Sequence, residues 1–284
     1  MNFNNRKIKL HTVAFAISLC ILPSIVSAQR NEVGLSFGGT EYFGDLNTNT
    51  SLQFTNPVAG VFDRFNFDSR ISIKSQFNYT RLAASDSKAT NKWQQTRNLS
   101  FFTDVMEWNN QLEFNFLDFK SSSPKFKFSP YFTAGFSVFS FDPMAEYNGN
   151  KFHLQPLGTE GQGYPEYPDR KKYKLTSTAF SVGGGMKYRL NKNWIFWCEA
   201  VNRNTHTDYL DDVSSTYADP LVLLNEGGPL VEALADRSVE LGGEPVGLSG
   251  KQRGDARRRD DYLIFNIGFS FTIVKNKCPF FPHH

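Results

Sequence analysis

The residues best equipped for chemistry sit in loop-like stretches, and none of them completes a known catalytic pattern. The densest is Thr207 to Ser214, which reads Thr-Asp-Tyr-Leu-Asp-Asp-Val-Ser. Asp208, Asp211 and Asp212 place three carboxylates within five residues, with Tyr209 among them. Oxygen donors of this kind suit Ca²⁺, but the spacing is not that of an EF-hand loop. His206 and Asp208 have the residue types of the general-base pair in a lipid-deacylating barrel. That chemistry also needs a serine nucleophile within hydrogen-bond reach, and no sequence pattern supplies one. A second stretch, Leu154 to Gly163, contains Gln155, Pro156, Gly158, Glu160, Gly161 and Gly163. Its glycines imply a tightly bent, fixed backbone. No Lys-Ser or Lys-Thr follows Gly163, so it is not a phosphate loop. It reads either as an ordered surface loop or as a protein docking surface. Arg253, Arg257, Arg258 and Arg259 suit bidentate phosphate contacts, as with lipopolysaccharide, or a solvated loop. Tyr42 to Asn47 (Tyr-Phe-Gly-Asp-Leu-Asn) reads as an aromatic at a membrane interface followed by turn residues. Nothing in these stretches calls for a cofactor.

What must position these loops is a set of strands. From Asp261 to Val274 every second residue is apolar: Leu263, Phe265, Ile267, Phe269, Phe271 and Ile273. The residues between are mostly small and polar, and a period of two is the signature of a strand. Its length suits a strand tilted across a bilayer better than a strand of a soluble sandwich. The same pattern recurs over 31–43, 57–67, 70–82, 103–119, 128–141, 175–190 and 194–205, weakest over 57–67, where Asp63 shares the apolar face. Connections alternate long and short, as in outer-membrane barrels. We therefore expect an all-β fold: a transmembrane antiparallel β-barrel of about eight strands with long extracellular loops. A soluble β-sandwich shares the alternation, but not the aromatic-rich apolar faces. An even strand count puts both termini on the periplasmic side. The opposite faces carry Lys74, Glu107, Glu113, Lys187, Glu199 and Arg203. A barrel this narrow has room only for side chains, so these charges should pair and plug it.

Composition agrees. The 284 residues include 28 Phe, yet mean hydropathy is −0.41, as strands with every second residue polar require. Beyond the N-terminus no apolar run is long enough for a spanning helix. A net charge of +3 gives no case for a nucleic-acid partner. Residues 1–28 read as a signal peptide, with Arg6, Lys7 and Lys9 before an apolar core and Val26-Ser27-Ala28 at the cleavage site. Residues 29–274 are then the barrel and 275–284 a periplasmic tail. After cleavage two cysteines remain. Cys198 shares a face with Trp194 and Phe196 and should look into lipid. Cys278 lies in the tail, in a compartment that permits disulfides. It is open to a bond with another chain, a bridge to Cys198, or a free thiol.

Together, Tyr42 to Asn47, Leu154 to Gly163, Thr207 to Ser214, Tyr217, Arg253-Gly254, Asp260-Asp261-Tyr262 and Lys277-Cys278 resemble the PorG family. The resemblance covers nearly the whole mature chain. The Leu154 to Gly163 decamer and the Thr-Asp-Tyr-Leu-Asp-Asp run are its most specific parts. PorG proteins are outer-membrane barrels of the type IX secretion system. The resemblance implies a non-enzymatic component that holds a periplasmic ring of PorK-type lipoprotein and PorN-type subunits to the outer membrane. It implies no catalytic residue, and it points to a PorK-type lipoprotein as the partner of Cys278. The stretch between Asp219 and Gly250 has no clear counterpart in the family. The alternative is a stand-alone barrel, either OmpA-like and structural or a lipid A-modifying enzyme.

Overall fold

A computed structural model describes residues 30–47, 56–119 and 126–273. The expected signal peptide, Lys277 and Cys278 lie outside the described residues. Among the described residues there are ten strands: β1 (Arg30–Phe43), β2 (Asn56–Asn66), β3 (Ile71–Ser85), β4 (Ser100–Asn115), β5 (Phe128–Ser140), β6 (Met144–Tyr147), β7 (Asn150–His153), β8 (Thr176–Arg189), β9 (Trp194–Thr205) and β10 (Asp261–Ile273). Eight of them, all but β6 and β7, pair antiparallel in the order β3-β2-β1-β10-β9-β8-β5-β4, and a β3–β4 pairing closes the ring. This is the expected eight-stranded all-β barrel. The closing seam between first and last strands runs from Asn31 opposite Ile273 to Phe43 opposite Asp261. The start of β1 and the end of β10 therefore lie at the same end of the barrel.

Alternation decides which way each side chain points. Val33, Leu35, Phe37, Phe77, Leu112, Phe136, Phe180 and Phe269 all face outward, with Phe37 61% and Leu112 56% exposed. An apolar belt of this extent is the surface of a barrel seated in lipid. The inward face is polar and full. Arg64 bonds Glu32 at 2.8 Å and Glu113 at 2.9 Å; Lys74 bonds Glu199 at 2.7 Å, Lys187 bonds Glu113 at 2.6 Å, and Arg203 bonds Glu107 at 2.7 Å. Trp197, fully buried, fills the space between these pairs. The Lys74 ammonium lies 4.5 Å from its ring centre, and Phe62 meets it edge-on at 5.1 Å. The poor alternation of β2 has its cause here: Phe62 and Arg64 take the inward positions, and Asp63 is left on the outward side of the strand.

Short turns join the strands at the end that holds the start of β1 and the end of β10. Asp68 Oδ1 accepts from the amides of Arg70 and Ile71, and Asn191 Oδ1 from those of Asn193 and Trp194. In both turns a side-chain oxygen stands in for a backbone acceptor. The structure departs from the sequence reading in three places, two of them at the other end. The stretch 83–100 is not all loop: Ala83 to Ser85 pair with Phe102 to Ser100, extending β3 and β4 as a ribbon, while β4 ends at Asn115 and not at Phe119. The stretch 142–174 contains the β6–β7 hairpin. Its turn is Asn148-Gly149, with φ of +50° and +76°, the left-handed pair that a two-residue hairpin turn demands.

Candidate functional site

The loops at the end opposite the start of β1 do not splay. They fold over the barrel as one cap, and the sequence stretches singled out for their chemistry converge in it. Glu160 is its hub. Its Oε1 accepts from the amide of Ser214 at 3.0 Å and from Arg253 Nη1 at 3.2 Å. Its Oε2 accepts from the amide of Ser215 at 3.2 Å and from Ser215 Oγ at 2.7 Å. Arg253 also donates to the Asp212 carbonyl at 2.6 Å. The Asp212 carboxylate accepts from Thr159 Oγ1 at 2.5 Å and from the Tyr173 hydroxyl at 2.6 Å. Tyr209 stacks on Tyr173, with centroids 4.6 Å apart and planes 8° from parallel.

The first two loops join the same network. The Asp45 carboxylate accepts from the Asp255 amide at 3.0 Å, and its carbonyl accepts from Gln94 and from Arg97, both at 2.9 Å. Arg97, on the short helix Lys92–Arg97, pairs with Asp86 at 2.7 Å and donates to the Arg253 carbonyl. Burial pushes Asp45 up to about 6, against the opposing pull of the Asp255 amide and Arg97. It pushes Asp208 up to about 7, and Asp212 up to about 6 despite Arg253 nearby.

Several sequence expectations are corrected by this geometry. The decamer 154–163 is an ordered loop that turns much of itself inward. Gly158, Glu160 and Gly161 are buried, Gln155 is half-buried, and Pro156 and Gly163 are exposed. Gly158, Gly161 and Gly163 all have positive φ, so the bent backbone is real; its bend turns Glu160 inward. Gln155 donates to the Tyr173 carbonyl at 2.9 Å, and the Pro156 carbonyl accepts from Lys172 at 2.6 Å. The carboxylates of Asp208, Asp211 and Asp212 diverge to Ser214, Tyr42 and Thr159 respectively. No group of three or more metal-ligating side chains among the described residues is arranged to hold an ion. His206 and Asp208 do not form a pair, since His206 Nδ1 lies 2.9 Å from Thr178 Oγ1. Arg253 is buried in the cap, whereas Arg257, Arg258 and Arg259 stay exposed. Tyr42 is not an interface aromatic: its position in β1 points it inward, where its hydroxyl reaches Asp211 and Asp260. Cys198 is half-buried on the outward face and has no disulfide among the described residues.

Arg97, Asp86, Thr159 and Tyr173 carry much of the cap, and sequence reasoning passed over them. No local spacing marks them: Asp86 and Arg97 pair eleven positions apart within one loop, and Thr159 and Tyr173 bond Asp212 in another. The stretch 219–250 also gains a place. Its helical segments Pro220–Val222, Leu223–Gly227 and Pro229–Ala235 bury Leu223, Val231 and Ala235 against Leu157, Tyr164 and Tyr167 of the decamer loop.

With the geometry in view, comparison with known proteins adds the following. Residues 10–156, just over half of the chain, match a family described as a domain of unknown function (DUF6089). No curated protein matches significantly. Among solved structures, the chain is similar to Ail, the attachment invasion locus protein of Yersinia pestis (TM-score 0.40, 7% identity, 87% of this chain and 99% of that one). It is also similar to Neisserial surface protein A, NspA (TM-score 0.41, 9% identity, 85% and 96%). A third is the outer membrane protein OprG of Pseudomonas aeruginosa (TM-score 0.39, 8% identity, 87% and 97%). Likeness at this level carries no property of those proteins over to this chain.

Proposed function

The chain belongs to the DUF6089 family; that description assigns no activity, and we propose one from the architecture of the cap and lumen. The protein is a non-enzymatic outer-membrane component of the type IX secretion machinery, and it anchors a periplasmic ring of PorK-type and PorN-type subunits. One observation carries this reading. The described stretches that resemble PorG, far apart in sequence, fold into a single buried network in which each carboxylate already has a partner, Asp208 through one of its two oxygens. A reaction centre needs groups left available to a substrate, and these are committed to holding loops in place. The filled lumen favours an anchor over a conduit. The apolar belt and the signal peptide favour the outer membrane, with the termini and the Cys278 tail in the periplasm beside the ring. Arg257, Arg258 and Arg259 remain available to lipopolysaccharide phosphates.

The test is crosslinking in intact cells, followed by identification of what is attached. We expect ring subunits on the wild-type protein, and a higher-mass band on non-reducing gels that Cys278→Ser removes. Recovery of a folded barrel with no ring subunit attached would overturn the anchoring role.

A further inference from the structure

At the mouth of the barrel the Tyr42 hydroxyl lies 2.7 Å from Asp211 Oδ2 and 2.8 Å from Asp260 Oδ1. A phenol carries one hydrogen and can donate it to only one of these oxygens. Toward the other it presents a lone pair. Two lone pairs at hydrogen-bond distance repel, so the second contact is attractive only if that carboxyl carries a hydrogen and donates it to the phenol oxygen. The outer oxygens of both carboxyls are already used. Asp211 Oδ1 accepts from the Val213 amide and Asp260 Oδ2 from the Leu210 amide, each at 2.9 Å. All three side chains belong to residues only 1% exposed.

Charge around the group argues the same way. Asp45, from the β1–β2 loop, and Asp208, from the same loop as Asp211, add negative potential. Arg97 is the cation that acts on Asp211, and its guanidinium is bonded to Asp86. Two ionised carboxylates sealed here would be an uncompensated buried pair, and such pairs keep a proton between them. The chain also makes room for the contact. A Cβ on Gly44 would stand 1.9 Å from the Tyr42 hydroxyl oxygen and 2.1 Å from Asp260 Oδ1, so no larger residue fits at 44.

We infer that Asp211 and Asp260 share one proton across the Tyr42 hydroxyl, and that this proton fastens the Thr207 to Ser214 loop to the adjoining ends of β1 and β10. Burial raises both carboxyls well above the ordinary aspartate range; the mutual repulsion of the pair adds to this for Asp260, and that of Asp45 for Asp211. The inference is independent of the secretion role, since it concerns how the cap is held shut.

The experiment is infrared spectroscopy of the full-length barrel in detergent at about pH 8, where an ordinary aspartate is ionised. We expect a carboxylic-acid C=O band that shifts in D₂O. Asp211→Asn and Asp260→Asn should each abolish it, because the introduced amide donates to the phenol and lets the remaining carboxylate ionise. Absence of the band in the wild type overturns the inference, whatever the variants do. Survival of the band in either variant also overturns it, because that outcome means independent protonation. A second measurement reads the fastening. Protease nicking within 207–214 should rise from pH 6 to pH 9 in the wild type, and rise less in Asp211→Asn, where the titration of Asp45, Asp208 and Asp212 remains but the shared proton is gone; an equal rise in both contradicts the latch. Equal nicking across the range in the wild type contradicts the latch.

Discussion

At the scale of single residues, the lumen shows why charge can be buried here at all. Glu113 is surrounded by Lys187 at 2.6 Å, Arg64 at 2.9 Å and Lys74 at 3.8 Å. Arg64 and Lys74 have second carboxylates in Glu32 and Glu199, but among the described residues the ion pair to Glu113 is the one Lys187 makes. Replacing an intact buried pair with apolar groups can be nearly neutral, whereas removing one partner leaves an uncompensated charge. Glu113→Gln should therefore lower stability by about 3–5 kcal/mol. Urea unfolding of the detergent-solubilised barrel measures this, and a loss below about 1 kcal/mol would mean that the pairs contribute little. Glu113 was legible from sequence as an inward charge, since parity along 103–119 settles its direction. Its partners were not, because pairing depends on which strands meet across the lumen.

At the scale of elements, β10 and the cap make separate predictions. Phe269 is 48% exposed on the outward face near the middle of β10. Phe269→Arg should cost about 2–4 kcal/mol, the penalty for Arg near the bilayer midplane. A variant as stable as wild type would mean that this face does not meet lipid. The cap should respond to pH. Asp45, Asp208 and Asp212 bind their protons more tightly in the folded cap, near 6, 7 and 6, than in an open chain, where aspartate titrates near 3.9. Their stabilisation is complete below about pH 4 and is lost as pH rises through about 6 to 7. Proteolysis of the loops should therefore accelerate over that window, while the strands stay intact. The strands were legible because lipid on one side and a polar lumen on the other enforce a strict period of two. The β6–β7 hairpin left a local mark in Asn148-Gly149, which the sequence reading did not use. Tyr42 was misassigned although the parity of Val33, Leu35 and Phe37 already put even-numbered positions of β1 inside. The hub at Glu160 left no such mark: Ser214, Ser215 and Arg253 lie more than 50 positions away in sequence.

At the scale of the whole molecule, a plugged lumen beneath a closed cap should not pass ions as a stable wide pore. Reproducible porin-sized steps in planar bilayers would contradict the filled interior. The seam between β1 and β10 has a consequence of its own, and it concerns time. β1 is made first and β10 last, yet each is the other's neighbour along its full length. Ser270 and Arg64 both reach Glu32 on the first strand, at 3.0 and 2.8 Å. Until the last segment has been delivered, β1 waits with one edge unpaired, and a lipid interior offers nothing to satisfy it. A chain that ends before Asp261 would leave two such edges permanently open. The barrel is therefore closed only by its β10 strand, and a copy truncated before Asp261 is expected to be degraded instead of folding as a smaller barrel, which pulse-chase labelling of the truncated and full chains would measure.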